Sequence, residues 1–429
     1  MPAHPPRRIS FFILSSQRRR YEVCGLALLT LTLQLTLCQG VARGAPQLPP
    51  PPPSQSDELP PTEQLVWRPS FAITSLGYDT NVLNESEDPK RDFVATFGGK
   101  LRPIYQVGPV KLSGETGVQY NYFATLADER GADVTLIGRA DIKLGVVKPH
   151  VSYSYVNLKE RFNAEVDTRA RRSEVLPDAG VDFSVTDRMT LGVGVSQQTT
   201  EFNNGTPAGA DLGRTLDRVQ RVYTTSLRYG ITPLTSLIAS GDLGTHEFKT
   251  APDRNGDRDG FQAGLEFSED ALITGHGTVG WRRVTLANPE IPDFSGFAGS
   301  INLSTHLGEN RRLGVQAHRD VTFSYSEFRP YYVEHGLGAS ISQALGESVE
   351  VGAHVGRLWF DYVQPLTEPA DQTYKERMDV VGGSIGYRLP SGYRISVNVE
   401  SQRRRTNGDA SRVYDNIRIF TAITPVLSF

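Results

Sequence analysis

This sequence predicts an all-β fold: a transmembrane antiparallel up-and-down β-barrel. Three observations point to it. Segment after segment alternates apolar and polar residues with a period of two, the mark of a strand with one greasy face. The connections between segments switch between short and long. Tyrosines and phenylalanines gather near segment ends. Alternation alone also suits a soluble sandwich. Full charges in the middle of one face, repeated along the chain, suit a wet barrel interior better.

The front of the chain sets the compartment. Arg7, Arg8 and the triplet Arg18-Arg19-Arg20 precede "CGLALLTLTLQLTLC", which is followed by the small-residue stretch "QGVARGA". A charged lead, an apolar core and a small-residue tail make a secretory signal. The core is shorter than the roughly 18 apolar residues needed to span a bilayer as a helix. Cleavage is expected after Ala42 or Gly44, so residues 1–42 read as a signal peptide. Both cysteines, Cys24 and Cys38, lie inside it, and the exported chain has no disulfide framework. Losing five arginines and one glutamate with it moves the formal charge from −3 to about −7. No basic field remains to attract nucleic acid.

Residues 43–66 include "PQLPPPPPSQSDELPP". Polyproline of this kind is a stiff, solvated spacer, read here as a periplasmic leader.

The barrel is expected over residues 67–429. In "VKLSGETGVQYNYF", Val110, Leu112, Val118, Tyr120 and Tyr122 share a face, while Lys111, Ser113, Glu115, Gln119 and Asn121 share the other. "ADVTLIGRADIKLG" sets Val134, Leu136, Ala140, Ile142 and Leu144 against Asp133, Arg139, Asp141 and Lys143. "MTLGVGVSQQ" and "YRISVNVES" repeat the pattern, the latter with Arg394 and Glu400 on the polar side. Strands are expected to begin near Trp67, Asp92, Val110, Asp133, Lys148, Ser173, Met189, Val219 and Thr235. The rest begin near Phe261, Ile273, Gly296, Arg312, Tyr331, Ser348, Tyr374, Gly392 and Arg412. That makes 18 strands, with 16 as the alternative. An even count brings both termini to the periplasmic side.

Short connections such as "VGPV", "TDR", "ITPLT", "LGEN", "LGES" and "LPSG" alternate with long polar ones. The long set comprises "NESEDPK", "NAEVDTRAR", "NNGTPAGADLGRTLD", "TAPDRNGDRDG", "ANPEIPD", "VQPLTEPADQT" and "TNGDAS". Barrels of the bacterial outer membrane have short periplasmic turns, long outer loops and aromatic girdles at both interfaces. Girdle positions are expected at Tyr78, Tyr120, Tyr122, Phe123, Phe202, Tyr331, Tyr332, Phe360, Tyr362 and Phe429. On this parity most tyrosines face lipid.

Inside lipid every backbone N–H and C=O needs a protein partner, so the sheet must close. The last strand alternates Ile417, Ile419, Ile423, Leu427 and Phe429 against Arg418, Thr424 and Ser428. Leu427 and Phe429 resemble the C-terminal signal that the barrel-insertion machinery reads. Pro425, which lacks a ladder donor, departs from that pattern.

No catalytic constellation has a defensible spacing, so no enzyme activity and no cofactor is expected. His150, His246, His276, His306, His318, His335 and His354 are scattered singly over different strands. Of these, His276, His318 and His354 could converge in the lumen, but isolated polar side chains facing water explain them better than a metal site. "DRNGDRDG" begins like a calcium loop, with Asp253, Asn255, Asp257 and Asp259 two apart. Arg258 stands where such a loop needs glycine and Gly264 where it needs glutamate, so an exposed turn-rich loop is expected instead. The mid-strand charges Lys111, Glu115, Asp133, Arg139, Asp141, Lys143, Arg394, Glu400 and Arg418 are expected to line the lumen. A basic group facing lipid near mid-membrane would cost about 2–4 kcal/mol.

The first strand and loop, "FAITSLGYDTNVLNESEDPKRDFVATFGGKLRPIY", resemble the β-barrel porins found with bacterial exopolysaccharide export systems. The matching residues are Tyr78, Asp79, Asn81, Val82, Asp92 and Phe93. "RRSEVLPDAGVDFSVTDRMTLGVGVS" has the cadence of the same family. The resemblance implies an outer-membrane conduit for secreted polysaccharide, seated in outer-membrane lipid and working with periplasmic export components. Two other readings stand beside it: a general diffusion porin for small hydrophilic solutes, and a loop-plugged structural or adhesion barrel.

Overall fold

The computed structural model describes residues 64–203, 211–308, 310–364 and 374–425. The expected signal peptide, most of the proline-rich leader, Leu427 and Phe429 lie outside the described residues. The described chain forms one 18-stranded antiparallel sheet in which each strand pairs with its neighbours in sequence and β1 also pairs with β18. The barrel is therefore closed.

The strands are β1 (Gln64–Asp79), β2 (Asp92–Val107), β3 (Val110–Phe123), β4 (Gly131–Ile142), β5 (Val147–Glu160) and β6 (Ala170–Thr186). They continue as β7 (Met189–Phe202), β8 (Arg218–Thr232), β9 (Thr235–Phe248), β10 (Gly256–Phe267), β11 (Ile273–Leu286) and β12 (Phe294–Leu307). The last six are β13 (Arg311–Phe323), β14 (Tyr331–Leu345), β15 (Val349–Tyr362), β16 (Lys375–Arg388), β17 (Tyr393–Thr406) and β18 (Tyr414–Pro425). One short helix, α1 (Leu212–Leu216), interrupts the β7–β8 connection, capped by the Asp211 carboxylate, which accepts from the Arg214 amide.

Two faces follow from the alternation. On the outside Leu243, Phe261, Phe297 and Val279 remain about two-thirds exposed, at 65, 65, 65 and 64 %. So broad an apolar surface would aggregate in water and is satisfied by lipid. On the inside the same strands carry Asp242, Arg258, Thr278 and Asn302. The tight turns need a left-handed residue, and Gly108 (φ +53°) and Gly346 (φ +73°) supply it at β2–β3 and β14–β15.

Several boundaries differ from those expected. β1 begins at Gln64 instead of Trp67, β6 at Ala170 instead of Ser173, and β10 at Gly256 instead of Phe261. Periodicity finds a strand at its first lipid-facing residue, whereas pairing continues beyond it, where both faces are polar or packed. The segment expected as an exposed loop, residues 253–260, is thus mostly strand. Asp257 and Asp259 alternate with the buried Arg258, and only the turn Pro252–Arg254 and Asn255 precede the ladder. Lys143 is likewise not mid-strand: β4 ends at Ile142, and Lys143 is exposed in the turn before β5.

Candidate lumen constriction

Burial inside the barrel is uneven along its axis. Inward residues are half-exposed over the ends joined by short turns and buried towards the ends joined by long loops. On β15 the buried ones are Leu358 and Phe360; on β7 they include Thr200 and Phe202; on β17 they include Glu400 and Arg404. Long loops turned into the lumen cause this.

The main intruder is the β5–β6 connection, residues 161–169. Phe162, Asn163, Ala164, Glu165 and Val166 are all buried. The sequence shapes it locally: the Asn163 side-chain oxygen accepts from the Glu165 and Val166 amides, both at 3.0 Å, an Asx-type turn. Arg161 ties it to the first loop by donating to the Val82 carbonyl at 2.6 Å. Phe162 meets Phe202 edge-on at 5.2 Å between ring centroids.

The far wall holds the loop by charge. Arg404 on β17 donates to the Ala164 carbonyl and to the Asp167 carboxylate, both at 2.9 Å, and to Glu376 on β16 at 2.8 Å. Arg412, in the turn before β18, donates to Glu376 at 2.5 Å and to the Glu165 carbonyl at 2.7 Å. The Glu165 carboxylate accepts from the Ser324 hydroxyl and, at 3.2 Å, from the Tyr325 amide. Burial pushes the Glu165 carboxyl up to about 7, against the pull of the Arg412 guanidinium and the Ser324 hydroxyl. Around this knot Tyr332, Phe360 and Met378 are fully buried. The arrangement narrows the lumen, with its charged groups buried against one another, and can exclude bulky material.

Residues 65–424 match the family model described as "Putative beta-barrel porin 2". The chain belongs to this family. It is an outer-membrane β-barrel porin. No match to a curated protein was found. Among solved structures, the porin is similar to OpdK of Pseudomonas aeruginosa, solved with vanillate, at 10% identity and a TM-score of 0.48, covering 83% of this chain and 98% of that one. It is also similar to OccAB3 of Acinetobacter baumannii at 11% identity and a TM-score of 0.46, with 83% and 98% covered. For OccK11 (OpdR) of Pseudomonas aeruginosa the values are 12% and 0.43, with 84% and 95% covered.

The family-like first loop of the porin has a clear mechanical part. Tyr78 and Phe93 stand opposite each other on β1 and β2 and face outward, while Asp79 and Asp92, the next pair, are buried. Asp79 accepts from the Asn81 amide at 2.9 Å, and the Asn81 side chain accepts from Glu85 and donates back to its carbonyl. Asp92 accepts from the Thr125 and Leu126 amides. Asn416 on β18 donates to the Asn81 carbonyl at 3.1 Å. Asp79 and Asn81 thus sit where the first and last strands meet, and Asp92 anchors the next loop.

Of the expected lumen charges, Glu115 pairs with Lys100 at 2.8 Å and Arg102 at 2.6 Å, and Arg139 with Asp141 at 2.8 Å. Asp133 accepts from Asn121 at 2.7 Å. Glu400 lies 3.7 Å from both His354 and Arg418, and Arg418 lies 3.5 Å from Asp79. Arg394 stands 3.7 Å from Glu350. Lys111 is half-buried on the inward face of β3. His318 pairs with Glu334 at 2.7 Å. No group of three or more possible metal ligands occurs among the described residues.

The aromatic expectation needs correcting. Phe123, Phe202, Tyr331, Tyr332 and Phe360 are not girdle residues but are buried, and Tyr332 and Phe360 pack edge-on at 5.4 Å. They lie at strand ends next to inturned loops, where packing against loop residues replaces lipid contact. Sequence reasoning also missed Glu165, Glu376, Arg404 and Arg412. A signal was "FNAEV", an Asx-turn residue set among the apolar Phe162, Ala164 and Val166 inside a loop otherwise polar.

Proposed function

We propose that this porin conducts small hydrophilic solutes across the outer membrane through a constriction built by residues 161–169, Glu376, Arg404 and Arg412. The observation that carries the reading is the contrast within one lumen: a wet inner half leads to an outer half narrowed by the 161–169 loop, which buried guanidinium–carboxylate pairs hold in place. Partly exposed pairs of both signs in the wet half, such as Lys100–Glu115 and Arg139–Asp141, admit a small polar solute without demanding one charge. A polysaccharide conduit would need a wide continuous bore or a sliding surface of exposed rings. The rings near the outer mouth are instead packed into the wall and against loops.

The packed outer mouth favours a second reading, a barrel sealed by its loops that serves a structural or adhesive role. Planar-bilayer recording separates the two. Stepwise openings from the intact porin, enlarged several-fold when residues 162–168 are replaced by a short glycine-serine bridge, are expected for a conduit. Absence of steps from both proteins would establish the sealed barrel. Loss of surface polysaccharide on gene deletion, with uptake of small solutes unchanged, would restore the export reading.

Export and assembly belong to the same proposal. Residues 1–42 direct secretion, and Leu427 with Phe429 present the ending that the insertion machinery reads. Phe429→Ser is expected to lower the amount of folded barrel in outer-membrane fractions.

A further inference from the structure

On the inner wall spanned by β8, β9, β10, β11 and β13, three arginines enclose a small cavity beside the constricting loop, whose Phe162 ring lies under Arg218. Its walls are Arg218, Arg258 and Arg282, with Gln220 and His246, closed by Val284, Val321 and Phe323 and bordered by Asp320. Each of the three arginines is 6 % exposed. The cavity measures about 10 Å³, room for one occupant about the size of a water molecule.

The charges around it do not balance. Arg282 donates to Asp242 at 2.7 Å, and Asp320 stands 3.5 Å from the Arg282 Nε and 3.8 Å from a terminal nitrogen of Arg258. Asp242 is also 3.5 Å from the Arg258 Nε. Two carboxylates thus face three guanidiniums, and a guanidinium stays charged in proteins. Among the described residues Arg218 donates to the Leu216 carbonyl alone, at 3.2 Å, and it lies over the Phe162 and Phe323 rings. Nearby Glu174 is already held by Arg172, and Asp217 accepts from the Phe202 amide at 2.7 Å. Among the described residues the Gln220 amide nitrogen and the His246 Nδ1 have no hydrogen-bond partner, and the Nε atoms of Arg258 and Arg282 reach a carboxylate only at 3.5 Å, outside hydrogen-bond geometry. Buried donors left unmet beside a surplus positive charge define a place for an anion.

We infer that this cavity is a binding site for one small monatomic anion of the halide class, chloride in natural conditions. Its size excludes carboxylate solutes and phosphate. A water molecule could meet some of the donors but would leave the charge unbalanced. The anion locks five strands and the base of the β7–β8 connection together, and it plays this part whether or not the barrel conducts.

Bromide is the probe. Crystals grown with sodium bromide should show one anomalous peak within hydrogen-bond reach of the Arg258 and Arg282 Nε atoms. In detergent at fixed ionic strength, the unfolding temperature should rise by a few degrees when gluconate is replaced by chloride or bromide. Gln220→Glu places a carboxylate beside the cavity and should remove that rise while the barrel stays folded and heat-modifiable. A cavity that holds water alone in bromide-grown crystals would overturn the assignment. So would a halide response left unchanged by Gln220→Glu. Neither readout depends on transport, so failure here leaves the conduction reading standing, and the reverse holds as well.

Discussion

At the scale of single residues, the outer lumen is governed by a few buried ion pairs. Arg404 and Glu376 both have side chains 0 % exposed. Removing one partner of such a pair strands the other in a poor solvent, at a cost of about 3–5 kcal/mol. Arg404→Met is therefore expected to lower unfolding stability in detergent by that amount. Arg403→Met, at a side chain 65 % exposed beside Asp415, should change it by under about 0.5 kcal/mol. Equal effects from the two would remove the constriction's claim to hold the loop. Glu165 adds a pH dependence. Its carboxyl ionises near 4.5 when free and near 7 when buried by the docked loop. The docked state thus binds the proton more tightly. Its advantage is full below about 4.5 and is lost as pH rises through about 7. Conductance should consequently be larger at pH 8 than at pH 5, and Glu165→Gln should flatten that difference. A wild-type conductance independent of pH would refute the link. The groups that face the Glu165 carboxyl are Arg254, Arg412, Glu376, Ser324, Tyr325, Tyr332 and Tyr362, with Arg404 on its backbone carbonyl.

At the scale of strands, period-two alternation made the elements legible. Lipid demands apolar side chains at every second position, and that demand is local, so parity separates Glu115, Asp133 and Glu400 from the apolar face without knowledge of their partners. The same locality has an experimental consequence. Val279, on the outer face of β11, is 64 % exposed. Val279→Arg should weaken folding into lipid vesicles by about 2–4 kcal/mol if the position lies near mid-membrane. Asn302→Arg on the inner face of β12 should cost much less. A reversed order would invert the assigned faces. What alternation could not reveal is the inward course of residues 161–169. Its letters read as a polar loop, and the partners that bury it, Ser324, Glu376, Arg404 and Arg412, come from distant strands and turns. Long-range packing leaves no period in a single sequence. Rings such as Phe202 and Tyr332 were misplaced for the same reason, since a strand-end aromatic looks alike whether lipid or a loop covers it.

At the scale of the whole barrel, closure is the property on which the others rest. It joins β1 to β18 in a defined register, with Tyr78 opposite Ile419. Paired positions in an antiparallel ladder lie about 4.5–5.5 Å apart at Cα, within disulfide range. No cysteine occurs within residues 64–429, so the barrel itself offers no competing thiol. The double variant Tyr78→Cys, Ile419→Cys should form an intramolecular cross-link on mild oxidation of intact outer membranes, seen as a reduction-sensitive mobility change. Cross-links solely between chains, or none, would place the seam elsewhere. The seam was foreseeable from lipid physics, which forbids an open edge. The buried turn around Asn81 that lies over it was recognisable only as a family-like string of letters.

The inturned β5–β6 loop also limits how the cell surface can change. An outward loop can drift freely, because its side chains meet only water. Here a substitution at Phe162 or Glu165 disturbs residues on other strands and turns, so this stretch tolerates less sequence change than a loop that meets only water.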